Sequence, residues 1–171
     1  MGIQHTSVPR WPTADPGVDR TGRTYAVMSF GTAADTVAAD WRRALAGLRR
    51  PVWTWHGESA DGDALALLRG QIDDATVGWR LMLAGPQADV LRAHAEALRG
   101  GVLESEITVV VTEDARRRVW CAHCGATTVA EADLGDVVSC TGCGCSLFVY
   151  HHVSRLSAAH LGFMADAEER P

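Results

Sequence analysis

The sequence predicts an α/β chain in two parts, a parallel sheet layer followed by a small module of cysteine knuckles. Three observations carry this. Short apolar runs alternate with helical patterns between residues 24 and 112, all five cysteines fall between positions 121 and 145, and four of them form two CxxC pairs. Strands that alternate with helices in this way pair in parallel through crossovers, which in one sheet are right-handed.

Residues 1–23 hold Pro9, Pro12, Pro16 and Gly17 among polar residues and show neither a helical nor a strand period, which predicts a flexible N-terminal arm. The pattern changes at Thr24. The apolar run 25–30 reads as a strand, and Gly31-Thr32 as a turn. Val37, Trp41, Leu45 and Leu48 then mark one face of a helix over 33–48, closed by Gly47 and Arg49-Arg50-Pro51. Residues 52–55 read as a second strand. Asp61 or Asp63 caps a helix with Leu65, Leu68 and Ile72 on one face. Residues 79–84 form a third strand, Gly85-Pro86 opens a helix with Val90, Leu91, Ala95 and Leu98 inward, Gly100-Gly101 ends it, and 107–111 is a fourth strand. Residues 24–112 thus read as a Rossmann-like layer, with Trp41, Trp53, Trp55 and Trp79 as packing residues rather than a cofactor box.

No GxGxxG follows the first strand; Ser29-Phe30-Gly31-Thr32-Ala33 offers a single glycine for a phosphate turn. The segment RLMLAGPQADVLRAHAEALRGGVLESEI, residues 80–107, resembles the nicotinamide-side strand, Gly-Pro turn and helix of ferredoxin-reductase-type NAD(P) domains. A cysteine commonly precedes that Gly-Pro in those domains, and Ala84 stands in its place here. The resemblance therefore implies the fold and leaves nucleotide binding open.

In the second part, Cys121 and Cys124 are followed by Gly125, Cys140 and Cys143 by Gly144, and 15 residues separate Cys124 from Cys140. This is the spacing of a four-thiolate site. Two sulfurs two residues apart can grip one ion from a tight turn if the backbone folds back, and a glycine after each pair permits the positive φ such a turn needs. The expected ligands are Cys121, Cys124, Cys140 and Cys143 around one zinc or iron ion, since a tetrahedral S4 shell accepts both. A disulfide framework belongs to secreted chains, and MGIQHTSVPRWP carries no apolar signal core. Cys145 reads as a thiol beside the site, and a shell that used His123 would be strained. The module is expected over 113–150, closed by a strand at 147–150 against Val119 and Trp120. Residues 151–171 then read as an apolar docking tail, with His151, His152 and His160 as polar contacts at an interface or as ligands of a metal or haem.

Lysine is absent, all 16 basic residues are arginine, and 21 acidic residues leave a net charge of −5, which argues against a broad phosphate-binding surface. Arg116–Arg118 is a short basic run, read as a solvated strand edge or a partner contact. No apolar run approaches the roughly 18 residues a membrane span requires. The chain is expected to be cytoplasmic, with neither membrane nor nucleic-acid partners.

The block WCAHC, then CTGCGCSLFVYHHVSR, then AAHLGFMADAEE resembles the small rubredoxin-like subunit family of bacterial dimethylamine monooxygenase, over roughly residues 24–168. The resemblance implies a subunit of a hetero-oligomeric enzyme that demethylates secondary amines with NAD(P)H and oxygen. Haem would lie on an oxygenase subunit, and flavin and a [2Fe-2S] cluster on a reductase subunit. It implies the four cysteines as metal ligands and no catalytic residue in this chain. Two roles fit: electron transfer through iron, or a structural metal that holds partners together. The alternative is a stand-alone zinc-ribbon module that binds a protein or nucleic acid.

Overall fold

The computed structural model describes residues 7–9, 11 and 14–166. The chain divides into two compact units, Trp11–Glu113 and a second formed by Asp114–Pro171 with Met1–Arg10.

In the unit Trp11–Glu113, strands β1 (Thr24–Phe30), β2 (Val52–Gly57), β3 (Trp79–Pro86) and β4 (Ile107–Glu113) lie in the order β2-β1-β3-β4, every neighbouring pair parallel. Helices α1 (Asp35–Leu48), α2 (Gly62–Asp73) and α3 (Gln87–Arg99) connect them. Side chains alternate across β1. Tyr25 and Val27 pack with Trp41 and Leu45 of α1, whereas Ala26, Met28 and Phe30 pack with Leu68 of α2 and with Val90 and Ala97 of α3. The central strands are therefore covered on both faces, which explains why β1 and β3 read as unbroken apolar runs. Each fully buried leucine among these contributes roughly 2 kcal/mol. Trp11, Trp41, Trp53, Trp55 and Trp79 all belong to or pack against the two clusters.

The helix ends follow local chemistry. Asp61 caps α2, its carboxylate accepting from the amide of Ala64 at 2.9 Å. Gly47 lies inside α1 rather than closing it. Arg49 takes the left-handed position at φ 50°, because Pro51 stops the helix two residues later.

The described part of the N-terminal segment is held by side chains. The Trp41 indole donates to both carboxylate oxygens of Asp15, at 2.9 and 3.0 Å, and Arg80 donates to Asp19 at 2.6 Å. Trp11 meets the His94 ring edge-on at 5.5 Å. Residues 15–23 are thus fixed against their own unit instead of forming a flexible arm; residues 1–6, 10, 12 and 13 of the expected arm lie outside the described residues.

The second unit is a five-stranded sheet of β5 (Arg116–Cys121), β6 (Thr127–Glu131), β7 (Val137–Ser139), β8 (Ser146–Ser154) and β9 (Ala159–Met164), in the order β6-β5-β9-β8-β7. All pairs are antiparallel except β5 with β9. The segment beyond residue 150 is no separate tail in its described part. It completes β8 and supplies β9, which inserts between β5 and the strand expected to pair with it. Val119 still meets Leu147 and Val149, through the core cluster they share with Cys121, Cys140 and Cys145. Residues 167–171 of the expected tail lie outside the described residues. Among the described residues no helix is long and apolar enough to cross a membrane.

Candidate metal centre

The two cysteine turns share one hydrogen-bond plan. In the first, the amide of Gly125 donates to the Cys121 carbonyl at 2.9 Å, and the amide of Cys121 to the Ala126 carbonyl at 2.8 Å. In the second, Gly144 donates to the Cys140 carbonyl at 2.9 Å and Cys140 to the Cys145 carbonyl at 2.9 Å. Gly125 and Gly144 have φ of 76° and 72°, left-handed values that a residue with a Cβ adopts only at a cost. Strand β5 delivers the first turn and β7 the second, and the sheet sets them face to face.

This brings together the four sulfurs that the spacing singled out. The Sγ atoms of Cys121, Cys124, Cys140 and Cys143 lie within 4.8 Å of one another; Cys121 is 3.8 Å from Cys143 and Cys124 is 3.6 Å from Cys140. A tetrahedral ion with bonds of about 2.3 Å to sulfur separates its ligands by about 3.8 Å. The two measured separations match that value, and the four-sulfur set could hold one metal ion. None of the five cysteines is paired in a disulfide.

The electrostatics fit a cation as well. The amide of Cys143, and after it that of Gly142 at 3.3 Å, point at Cys140 Sγ and bring its thiol down to about 6. The amide of Cys145 draws the Cys143 thiol down too, but desolvation and the neighbouring sulfurs of Cys145, Cys124 and Cys140 outweigh it and push that thiol up. Cys124 is likewise raised, against the pull of the Ala126 amide. One thiolate forms readily and further ones repel it, so a cation that offsets part of their charge would stabilise the set.

The remaining candidates are placed differently. Cys145 is buried in the cluster that holds Cys121 and Cys140. His160 is 1% exposed, and its Nδ1 donates to the Tyr150 carbonyl at 3.3 Å. Burial depresses its pKa to about 4, so this ring is neutral. His151 and His152 sit in a bulge where three residues of β8, Tyr150 to His152, face Leu161 of β9 alone. Their rings pack on Tyr150 at 4.0 and 4.8 Å. Arg117 is buried and donates to the Ala132 carbonyl at 2.8 Å, and Arg118 donates to that of Ala158 at 2.9 Å. Two of the three arginines in the basic run therefore hold strand ends instead of standing as a solvated edge.

The parallel sheet carries one feature that sequence reading missed. A cavity of about 160 Å3 is lined by Ser29, Asp35, Arg42, Thr54 and His56, among others, near the carboxyl ends of β1 and β2. Ser29 Oγ lies 3.1 Å from His56 Nδ1, and that same nitrogen lies 3.4 Å from Asp35. A proton relay from hydroxyl to carboxylate needs the two ring nitrogens in turn, so the trio is no nucleophilic triad. Ser29 and His56 are 27 positions apart and carry no motif, hence the missing signal. Ala84, where reductase-type domains carry cysteine, is wholly buried in the cluster under α1 and offers no reactive group.

Comparison with known proteins adds two findings. Residues 118–163 match the family described as dimethylamine monooxygenase subunit DmmA-like, C-terminal domain. The chain is also 37% identical over 107 residues to the heme-dependent oxidative N-demethylase delta subunit of Ectopseudomonas mendocina (strain ymp), a match covering 63% of this chain and 60% of that protein. No solved structure matches.

Proposed function

We propose, from the match of residues 118–163 to the DmmA-like C-terminal domain family, that the chain is a non-catalytic or electron-transfer subunit of a multicomponent haem-dependent secondary-amine monooxygenase. It carries one mononuclear metal ion on Cys121, Cys124, Cys140 and Cys143. The observation that carries this reading is the gathering of four sulfurs within 4.8 Å of one another inside the matched family segment.

The ion would supply either a one-electron couple, if iron, or a crosslink that fixes the two knuckles, if zinc. The chain's own residues supply the shell and the amides aimed at its sulfurs, which set ligand charge and hence potential. Haem, flavin and a [2Fe-2S] cluster belong on partner subunits in this reading, and dimethylamine-type secondary amines are the substrate of the assembly. The internal use of Arg117 and Arg118 supports a protein partner over a nucleic acid. Ala84, in the place of the cysteine of reductase-type domains, speaks against reductase chemistry in this chain.

The test is to isolate the chain reduced and with its co-purifying proteins, and to measure metal and absorption. One equivalent of iron with thiolate charge-transfer bands that bleach on dithionite assigns electron transfer. One equivalent of colourless zinc assigns the structural role. A chain with neither metal, and without a haem-bearing partner, overturns the proposal.

A further inference from the structure

A second group of donors stands beside the four-sulfur site. His123, Cys143 and Cys145 each offer a ligand atom, and these atoms lie within 4.8 Å of one another. Cys143 belongs to both groups. The sequence separates the three, His123 in the first knuckle and Cys143 and Cys145 in the second, and only the apposition of the turns unites them.

We infer that His123, Cys143 and Cys145 form a second site for a thiophilic d10 cation such as Zn2+ or Cd2+, with Cys143 as a thiolate bridge to the first ion. The inference rests on the reading of the four cysteines as a metal shell. Four thiolates around a divalent ion leave a net charge of about −2, so the outermost sulfur keeps lone pairs with a strong affinity for a further cation. Cys124 and Cys143 are the two exposed sulfurs of the four, and of these it is Cys143 that lies with His123 and Cys145. Two thiolates and one imidazole make a three-ligand set whose fourth position is left to water, the composition of an open site rather than a closed one. Binding replaces the S–H bond of Cys145 with a bond to the cation and releases the proton to solvent.

Access differs between the two sites in the expected sense. A Cβ at Gly142 would stand 2.7 Å from Ala126 Cβ and 3.0 Å from Cys124 Sγ, so the turn is closed around the first ion. A Cβ at Gly144, between Cys143 and Cys145, would meet nothing within 4 Å. His123 is exposed as well, so a cation reaches this side from solvent. Cys145 is 8% exposed and forms the inner wall.

The experiment titrates the full-length apo chain, reduced and anaerobic, with Cd2+, following thiolate-to-cadmium absorption and the stoichiometry by native mass spectrometry. Two equivalents are expected for the wild type, the second weaker and lost first to a chelator. His123→Ala and Cys145→Ser should each bind one equivalent and keep the first ion's affinity within about threefold. His123 is exposed, so its replacement leaves the fold unstressed even if Cys145→Ser proves unstable. Saturation of the wild type at one equivalent, or two equivalents retained by His123→Ala, overturns the second site and leaves the four-cysteine reading standing. No binding at all overturns both.

Discussion

His160 is buried beside the bulge in β8, where its ring meets the Tyr150 carbonyl. Its native pKa of about 4 lies below the usual 6.5, so the unfolded chain takes up a proton over a range where the folded one does not. Stability is then unaffected above about pH 6.5 and falls as the pH drops toward 4. Between pH 7 and 5 the loss from this one group amounts to about 2 kcal/mol. Denaturant midpoints of the wild type and His160→Gln at both pH values check it. The variant should lose less than the wild type over that interval, a difference that cancels the proton competition at the thiolates common to both. Asp15 makes a comparable point in the other unit. Its carboxylate accepts both hydrogen bonds from the nearly buried Trp41 indole, so Asp15→Ala should cost on the order of 1–2 kcal/mol and leave the ring nitrogen without its partner. Tryptophan fluorescence during urea unfolding reads that loss.

Among the elements, β9 was hardest to foresee and matters most to the second unit. It joins the knuckle-bearing β5 to β8, and the pairing brings Gly162 opposite both Cys121 and Val149. A Cβ at Gly162 would stand 2.6 Å from Val119 Cγ1 and 3.1 Å from the Trp120 carbonyl oxygen. Gly162→Ala should therefore push β5 and β9 apart, at a cost of about 1–3 kcal/mol, and weaken metal retention because β5 carries Cys121. Faster release of the ion to a chromogenic chelator, with the Trp11–Glu113 unit unaltered, is the expected result. The histidine pair belongs to this scale as well. The sequence leaves His151 and His152 as interface contacts or ligands, and in the bulge, with its two extra residues, both rings pack on Tyr150.

For the molecule as a whole, the two units make separate demands on stability. The sheet unit has two apolar clusters of its own, whereas the cysteine-bearing unit has one small cluster in which three of six buried members are cysteines. With an ion on the four cysteines, as proposed, so small a core would depend on it. Cys140→Ser should make residues 114–164 susceptible to limited proteolysis while 24–113 survives as a resistant fragment, seen by mass analysis of the digest. Cleavage of both at the same rate would mean that the units do not fold independently.

The sequence by itself determined what depends on neighbours along the chain. Its apolar periods located the four parallel strands and three helices, Asp61 and Pro51 marked helix ends, and the CxxCG repeats picked out the four sulfurs. These signals are local, because a helical face, a cap or a two-residue knuckle is written within a few positions. Tertiary structure alone decided the rest: that the chain beyond residue 150 closes the second sheet, that Asp15 and Asp19 bind Trp41 and Arg80, and that His123 meets Cys143 and Cys145. Each joins residues from separate segments, and the strands of the second sheet are too short, down to the three residues of β7, to show a period before they pair.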